Sequence, residues 1–323
     1  DDPGLLRLGG EMKEMTLLFA DIRGFTTISE TYKEHPEALT EFINKFLTPM
    51  TGVILDRQGT IDKYMGDCIM AFWNAPLDDA EHPTNACDSA LAMLKACDDV
   101  GVTVKAQAEE RASQARQTIT AGRERLEKGD SQAEEEIKSA EEMLMLAEKE
   151  RELTVKIGIG LNTDIVCVGN MGSDQRFDYS VLGDGVNLAA RLEGQSKTYG
   201  VAVVLGEDTQ KQVSDYACVE LDLLQVKGQT RPTRIFGLLG DQGAALSSEF
   251  TTYKEQHDKL LLSYRAQEWD EASNLSGKCR DLCSPWGNTG LYDLFDERIA
   301  EYRENPPGDK EGNWDGVYIA TSK

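Results

Sequence analysis

Apolar and polar positions along the chain fall into short runs with recognisable periods. Residues 15–20 are almost wholly apolar and end at Asp21; residues 25–58 follow with Phe42, Phe46, Met50 and Ile54 at helical spacing before Gly59. Residues 60–65 and 68–73 are two strand-like runs separated only by Gly66-Asp67, the mark of a tight hairpin. A helix is predicted from about residue 79 to 98. Residues 154–163 alternate as a strand, residues 166–168 read as a second strand across an Asp164-Ile165 turn, and residues 185–199 read as a helix.

The order strand, helix, strand, strand, helix, strand predicts an α+β fold, a ferredoxin-like βαββαβ sheet with helices on one face. Short strands at 201–205, 217–224 and 233–239 would extend it. Residues 102–153 interrupt the pattern with a composition of Ala, Glu, Gln, Lys and Arg that favours long helices. Val104, Ala108, Ala115, Ile119 and Leu126 line one arm, and Ala133, Ile137, Ala140, Leu144 and Ala147 the other. Between them Gly129 is read as a C-cap, and Ser131 with Glu134 as a capping box, which predicts an antiparallel helical hairpin. It is either a tolerated insertion or a regulatory, partner-binding arm. Residues 241–323 read as two or three short helices closed by aromatic anchors around Trp314 and Tyr318, a helical C-terminal extension with no chemistry of its own. The predicted organisation is a linker at 1–13, a main domain at 14–240 carrying the hairpin, and the extension at 241–323.

With 323 residues and 40% hydrophobic content the chain can fill ordinary cores. A formal charge of −23 makes nucleic acid and anionic lipid poor partners, so a polyanionic substrate needs local cations and metal. Seven cysteines, odd in number and mostly within apolar runs, fit a reducing compartment; with three histidines and none near Cys279 and Cys283, a zinc site is not expected. No stretch reaches the roughly 18 apolar residues of a membrane span. The chain begins at Asp1 rather than methionine and reads as a piece of a longer parent.

Asp21 and Asp67 each end a strand-like run beside a glycine. Two carboxylates presented this way can hold two divalent metals, Mg2+ or Mn2+, against a nucleotide's phosphates. Gly24-Phe25-Thr26 begins a helix whose free backbone N–H groups can receive phosphate oxygens. Asn187 and Arg191 lie four apart on one helix face, an amide and a guanidinium suited to a phosphate whose charge rises during substitution. Lys227, beside Gly228, is a further cation at a strand end. Taken singly, each of these is an ordinary turn, cap or surface residue.

Together, residues 19–26 (FADIRGFT), 62–67 (DKYMGD), 179–191 (YSVLGDGVNLAAR) and 226–228 (VKG) resemble the class III nucleotidyl cyclases, in order, from about residue 10 to 239 apart from the hairpin. The resemblance implies that Asp21, Asp67 and the carbonyl of Ile22 bind two metals, that Asn187 and Arg191 stabilise the transition state, and that Lys227 holds the terminal phosphates. Lys63 and Ser180 fall where the family reads the purine; Phe25 and Thr26, at the helix start, are the expected substrate-phosphate contacts. A lysine donor with a hydroxyl acceptor complements adenine N1 and N6, where similar guanylate cyclases carry an acidic group at position 63; ATP is therefore the expected substrate. Serine at 180 departs from the aspartate of animal adenylate cyclases and looks like a bacterial subgroup. In the family the metal-binding aspartates and the Asn-Arg pair come from different subunits, which implies a head-to-tail homodimer with two equivalent sites. The general base is unassigned. Residues 5–11 and 313–318 look like bacterial membrane-tethered cyclases with an upstream CHASE-type sensor, which implies a cytoplasmic output domain anchored at the inner membrane through its parent. The alternatives are a guanylate cyclase and a catalytically silent nucleotide-binding or scaffold module.

Overall fold

The computed structural model describes residues 9–173, 175–225, 232–308 and 313–319. They form two compact units, one drawn from Asp1–Asp21, Ile54–Leu91 and Gly158–Lys323, the other from Ile22–Val53 and Ala92–Ile157.

The first unit holds the sheet. Its strands are β1 (Gly9–Ile22), β2 (Thr60–Met65), β3 (Cys68–Trp73), β4 (Ile157–Ser173), β5 (Arg176–Leu182), β6 (Val203–Gly206), β7 (Ala217–Gln225), β8 (Thr233–Gly240) and β9 (Val317–Ile319). The order is β2-β3-β1-β4-β6-β8-β7-β9, with β5 paired to β4. Its first four members reproduce the order of the expected βαββαβ sheet, with β3 antiparallel to both β1 and β2. Strand β1 is central and buried on both faces, which is why residues 15–20 read as a continuous apolar run rather than an alternating one. Met15, Leu17 and Phe19 pack with Met70, Phe72, Val166, Val168 and Val181 under Ala189 of helix α5 (Asp184–Thr198). On the other side Thr16 bonds to His82, the first residue of helix α3 (His82–Glu127). Helices therefore cover both faces of the sheet, not one.

Other expectations shift. The helical stretch after Asp21 divides into α1 (Phe25–Thr31) and α2 (Pro36–Leu55). Helix α3 does not stop near residue 98. It continues for 46 residues into the first hairpin arm, about 69 Å at 1.5 Å per residue, because Gly101 weakens a helix by only about 1 kcal/mol and breaks nothing when flanked by helix formers. Strand β4 passes straight through 164–165. It pairs with β6 at 159–161 and with β5 at 167–173, so the reversal comes after Ser173, the partner of Arg176, and β5 was not foreseen.

In the second unit, α3 returns as α4 (Ala133–Arg151), the predicted antiparallel hairpin. Ala115, Ile119 and Ala140 form its seam, with Ile137 and Leu144 against it. Gly129 takes the left-handed turn (φ 91), but the Ser131–Glu134 box does not form. Asp130 replaces it, accepting from the Gln132 N–H and from Arg125. At the stem, buried Glu150 pairs with Arg111, and Tyr32 bonds to the same carboxylate.

Helix α6 (Glu207–Gln212) lies between β6 and β7; the C-terminal extension comprises α7 (Gln242–Ala245), then α8 (Ser248–Arg265), α9 (Trp269–Leu282) and α10 (Thr289–Glu304). It is one core with the sheet: Phe250, Tyr253, Leu261, Tyr264 and Phe295 pack with Val219, Leu221 and Ile235. The chain then adds β9 parallel to β7, a strand the sequence did not announce. No helix among the described residues is long and apolar enough to cross a membrane.

Buried His257 in α8 sets a pH dependence. Its Nε2 lies 2.6 Å from the Glu220 carbonyl oxygen and donates to it, while Nδ1 lies 3.0 Å from the Tyr292 hydroxyl. Burial lowers its pKa below the ordinary 6.5, and burial does the same to His82. Between the folded and unfolded pKa values the unfolded chain binds more protons, so this stability is complete above about pH 6.5 and is lost as pH falls toward the folded values. Urea unfolding should show a lower midpoint at about pH 5.5 than at about pH 7.5, and His257→Gln should flatten that slope. An unchanged slope in the variant would assign the effect to other groups.

Candidate active site

Strand pairing brings Asp21 and Asp67 to one end of the sheet. Ala20 faces Ile69, so Asp21 lies one residue beyond this pair and Asp67 two residues before it. The β2–β3 turn closes at Met65↔Cys68 with Gly66 in the left-handed conformation (φ 69), a shape glycine adopts without Cβ strain. Asp67 is buried and Asp21 half-buried. Cys68 reports both charges: its thiol is pushed up to about 12 by burial first, then by Asp21, Glu193 and Asp67.

Two carboxylates at one end of the sheet favour a cation, and hard oxygen donors suit Mg2+ or Mn2+. Among the described residues no group of three His, Cys, Asp or Glu side chains is placed to hold a metal. Two aspartates fit an ion that takes its remaining ligands from phosphate and water.

Ile22 is the last residue of β1, and Phe25 and Thr26 open α1; all three belong to the second unit. Gly24 caps that helix in the left-handed conformation (φ 66), and its carbonyl accepts from Thr27 and Ile28, leaving Phe25 and Thr26 as the leading N–H groups.

Ser180 is buried on β5, opposite Gly169 of β4. Lys63 stands on β2 opposite Met70 with its side chain half-exposed. Strands β2 and β5 approach each other, so the two residues expected to read a purine come from neighbouring segments of one unit.

Helix α5 buries Gly185, Ala189, Leu192 and Ser196, a stripe that turns Asn187 and Arg191 outward. It lies directly on β4: a Cβ at Gly160 would come 2.2 Å from the Glu193 nitrogen and 2.3 Å from the Ala189 oxygen. Arg191 makes no ion pair with a described residue. Lys227 lies outside the described residues.

Sequence reading passed over Glu193, two residues after Arg191, and Asp62, immediately before Lys63. A side chain of Asp62 only 1% exposed is the surprise, because acids beside a lysine in a short strand usually face water. Two adjacent opposite charges in a strand do not by themselves announce that the acid is turned inward.

The chain matches the model of the adenylate and guanylate cyclase catalytic domain over residues 10–240. It belongs to that family. Among curated relatives it is 29% identical over 241 residues to adenylate cyclase 1 of Rhizobium meliloti, covering 74% of this chain and 30% of that protein. It is also 29% identical over 228 residues to an adenylate cyclase of Anabaena cylindrica, covering 69% and 36% respectively. The chain thus spans about a third of the length of these relatives. Among solved structures the guanylyl cyclase Cya2 superposes with a TM-score of 0.53 at 26% identity, covering 72% of this chain and 95% of that one. A bacterial light-regulated adenylyl cyclase, at 21% identity and a TM-score of 0.51, covers 72% and 54% and shares the fold.

Proposed function

We propose that this chain is an adenylate cyclase that converts ATP to 3′,5′-cyclic AMP and pyrophosphate in intracellular signalling. Its two sites are shared across a head-to-tail homodimer. The observation that carries the shared-site reading is the state of α5. Asn187 and Arg191 project from an exposed face, and in a chain of net charge −23 the Arg191 guanidinium has no carboxylate partner among the described residues. A cation left uncommitted on so acidic a protein suits a phosphate delivered from a second copy's Asp21 and Asp67.

Asp21, Asp67 and the carbonyl of Ile22 would hold two divalent ions, which when bound supply the positive charge that phosphoryl transfer needs. Asn187 and Arg191 orient the α-phosphate and receive the charge that develops as the 3′ oxygen attacks and pyrophosphate leaves. Phe25 and Thr26 offer backbone N–H groups, and Lys227 a cation, to the remaining phosphates. Lys63 donates to adenine N1 and Ser180 accepts from N6. The adenylate cyclase relatives support this choice, whereas the likeness to Cya2 favours GTP as the second reading.

Incubation with Mn2+ and each triphosphate, followed by separation of products, decides between them. Cyclic AMP should form faster. Faster cyclic GMP would overturn the assignment, and turnover of neither nucleotide would return the chain to a silent binding module. The organisation into a main domain at 14–240 with the 102–153 hairpin as a partner-contacting arm, and an upstream membrane-anchored sensor in the parent protein, complete this reading. The latter rests on the likeness of residues 5–11 and 313–318 alone.

A further inference from the structure

Side chains of adjacent residues in a regular strand point to opposite faces, so Asp62 and Lys63 should not meet. They do: Lys63 Nζ lies 3.1 Å from Asp62 Oδ2. The cause is a bulge in β2, where Ile61 pairs with Ala71 and Lys63 with Met70, leaving Asp62 without an opposite residue and swinging its side chain inward. There the carboxylate is 1% exposed, and neither oxygen accepts a hydrogen bond from a described residue. A buried carboxylate in that state is costly unless a cation stays against it. Lys63, half-exposed and on a flexible four-carbon stem, would otherwise range through solvent. The carboxylate therefore restrains the ammonium far more than an exposed partner would.

We infer that Asp62 is a positioning residue for base selection: it anchors the Lys63 ammonium on the bulge of β2, alongside β5 and Ser180, so that a fixed N–H is presented to the purine. This rests on the reading of Lys63 as the purine contact. Asp62 is too buried to touch the base and acts through Lys63. With a pre-placed donor less rotamer freedom is lost on binding, so the benefit appears in nucleotide affinity and selectivity rather than in the chemical step.

The test compares Asp62→Asn, Lys63→Ala and the double variant, with ATP and GTP. Asp62→Asn keeps the shape and removes the charge; it should raise KM for ATP and lower the ATP preference about tenfold, leaving kcat within about twofold. The double variant should lose no more than Lys63→Ala alone, because both changes remove one contact. Unchanged preference in Asp62→Asn, with a shift in Lys63→Ala, overturns this inference while leaving the Lys63 assignment standing. Unchanged preference in Lys63→Ala overturns the Lys63 assignment itself, and independent additive losses overturn the coupling. Should Asp62→Asn not fold, amine acylation of the unaltered protein decides: Lys63 should react at least about fivefold more slowly than exposed Lys138, and equal rates refute the anchor.

Discussion

Asp21→Ala and Asn187→Ala proteins, each expected to fall at least about a hundredfold in activity alone, should recover when mixed and allowed to exchange subunits. The loss in the first follows from removing one of two carboxylates at the end of the sheet. The loss in the second follows from removing an amide one helical turn from Arg191. If sites are shared, a heterodimer contains one site with both mutations and one with neither. Equal mixing makes half of all dimers mixed, each with one site of two intact, so recovery should approach about a quarter of the unmutated rate. The number is diagnostic: a chain whose site is complete within itself would give no recovery at any ratio. Carrying the two variants on different affinity tags and co-purifying them through both confirms exchange, and absence of recovery after confirmed exchange rules out the shared site. Asn187 is exposed, so its replacement leaves the α5 packing stripe of Ala189 and Leu192 untouched and folding is not the readout.

The parts of this site that sequence made legible are those where local chemistry and position coincide. Gly66-Asp67 between two short apolar runs fixes a hairpin because only a tight turn fits, and β2 and β3 fall at the expected residues. Asn187 and Arg191 share a face because helical spacing demands it. The rest depended on distant partners. Nothing local in residues 164–165 says whether the chain turns or switches from one neighbouring strand to another, and the strand pairing that decides it lies at 167–182. Helix α3 outran its expected end because a change in composition marks the loss of a buried face, which is a tertiary event, rather than a break in the backbone. Asp62 was missed because a bulge is a property of two paired strands, invisible in either alone.

The second large effect is expected where the extension packs against α5, the helix that presents Asn187 and Arg191. Asp222 of β7 and Arg298 of α10 form an ion pair of 2.6 Å, both side chains no more than 5% exposed. Tyr199, the C-cap of α5, donates to the same carboxylate oxygen at 2.6 Å. Burial and then the Asp222 charge raise that phenol's pKa well above its ordinary value, so it remains a donor. The guanidinium also lies 3.5 Å from the ring centroid of Tyr318 in β9. One buried cluster thus ties the last turn of α5 to the tail strand β9 and to α10. Removing one charge strands the other, so Asp222→Ala should lose about 3–5 kcal/mol of stability, whereas Tyr199→Phe should lose about 1 kcal/mol. The apolar triple replacement Tyr199→Phe, Asp222→Leu, Arg298→Met should recover most of the loss, since the Arg298 Nε already lacks a partner among the described residues and the network is incompletely satisfied. Urea unfolding measures all three. A loss below about 1 kcal/mol in Asp222→Ala would mean that water reaches the cluster and that the extension is joined to α5 by apolar packing alone.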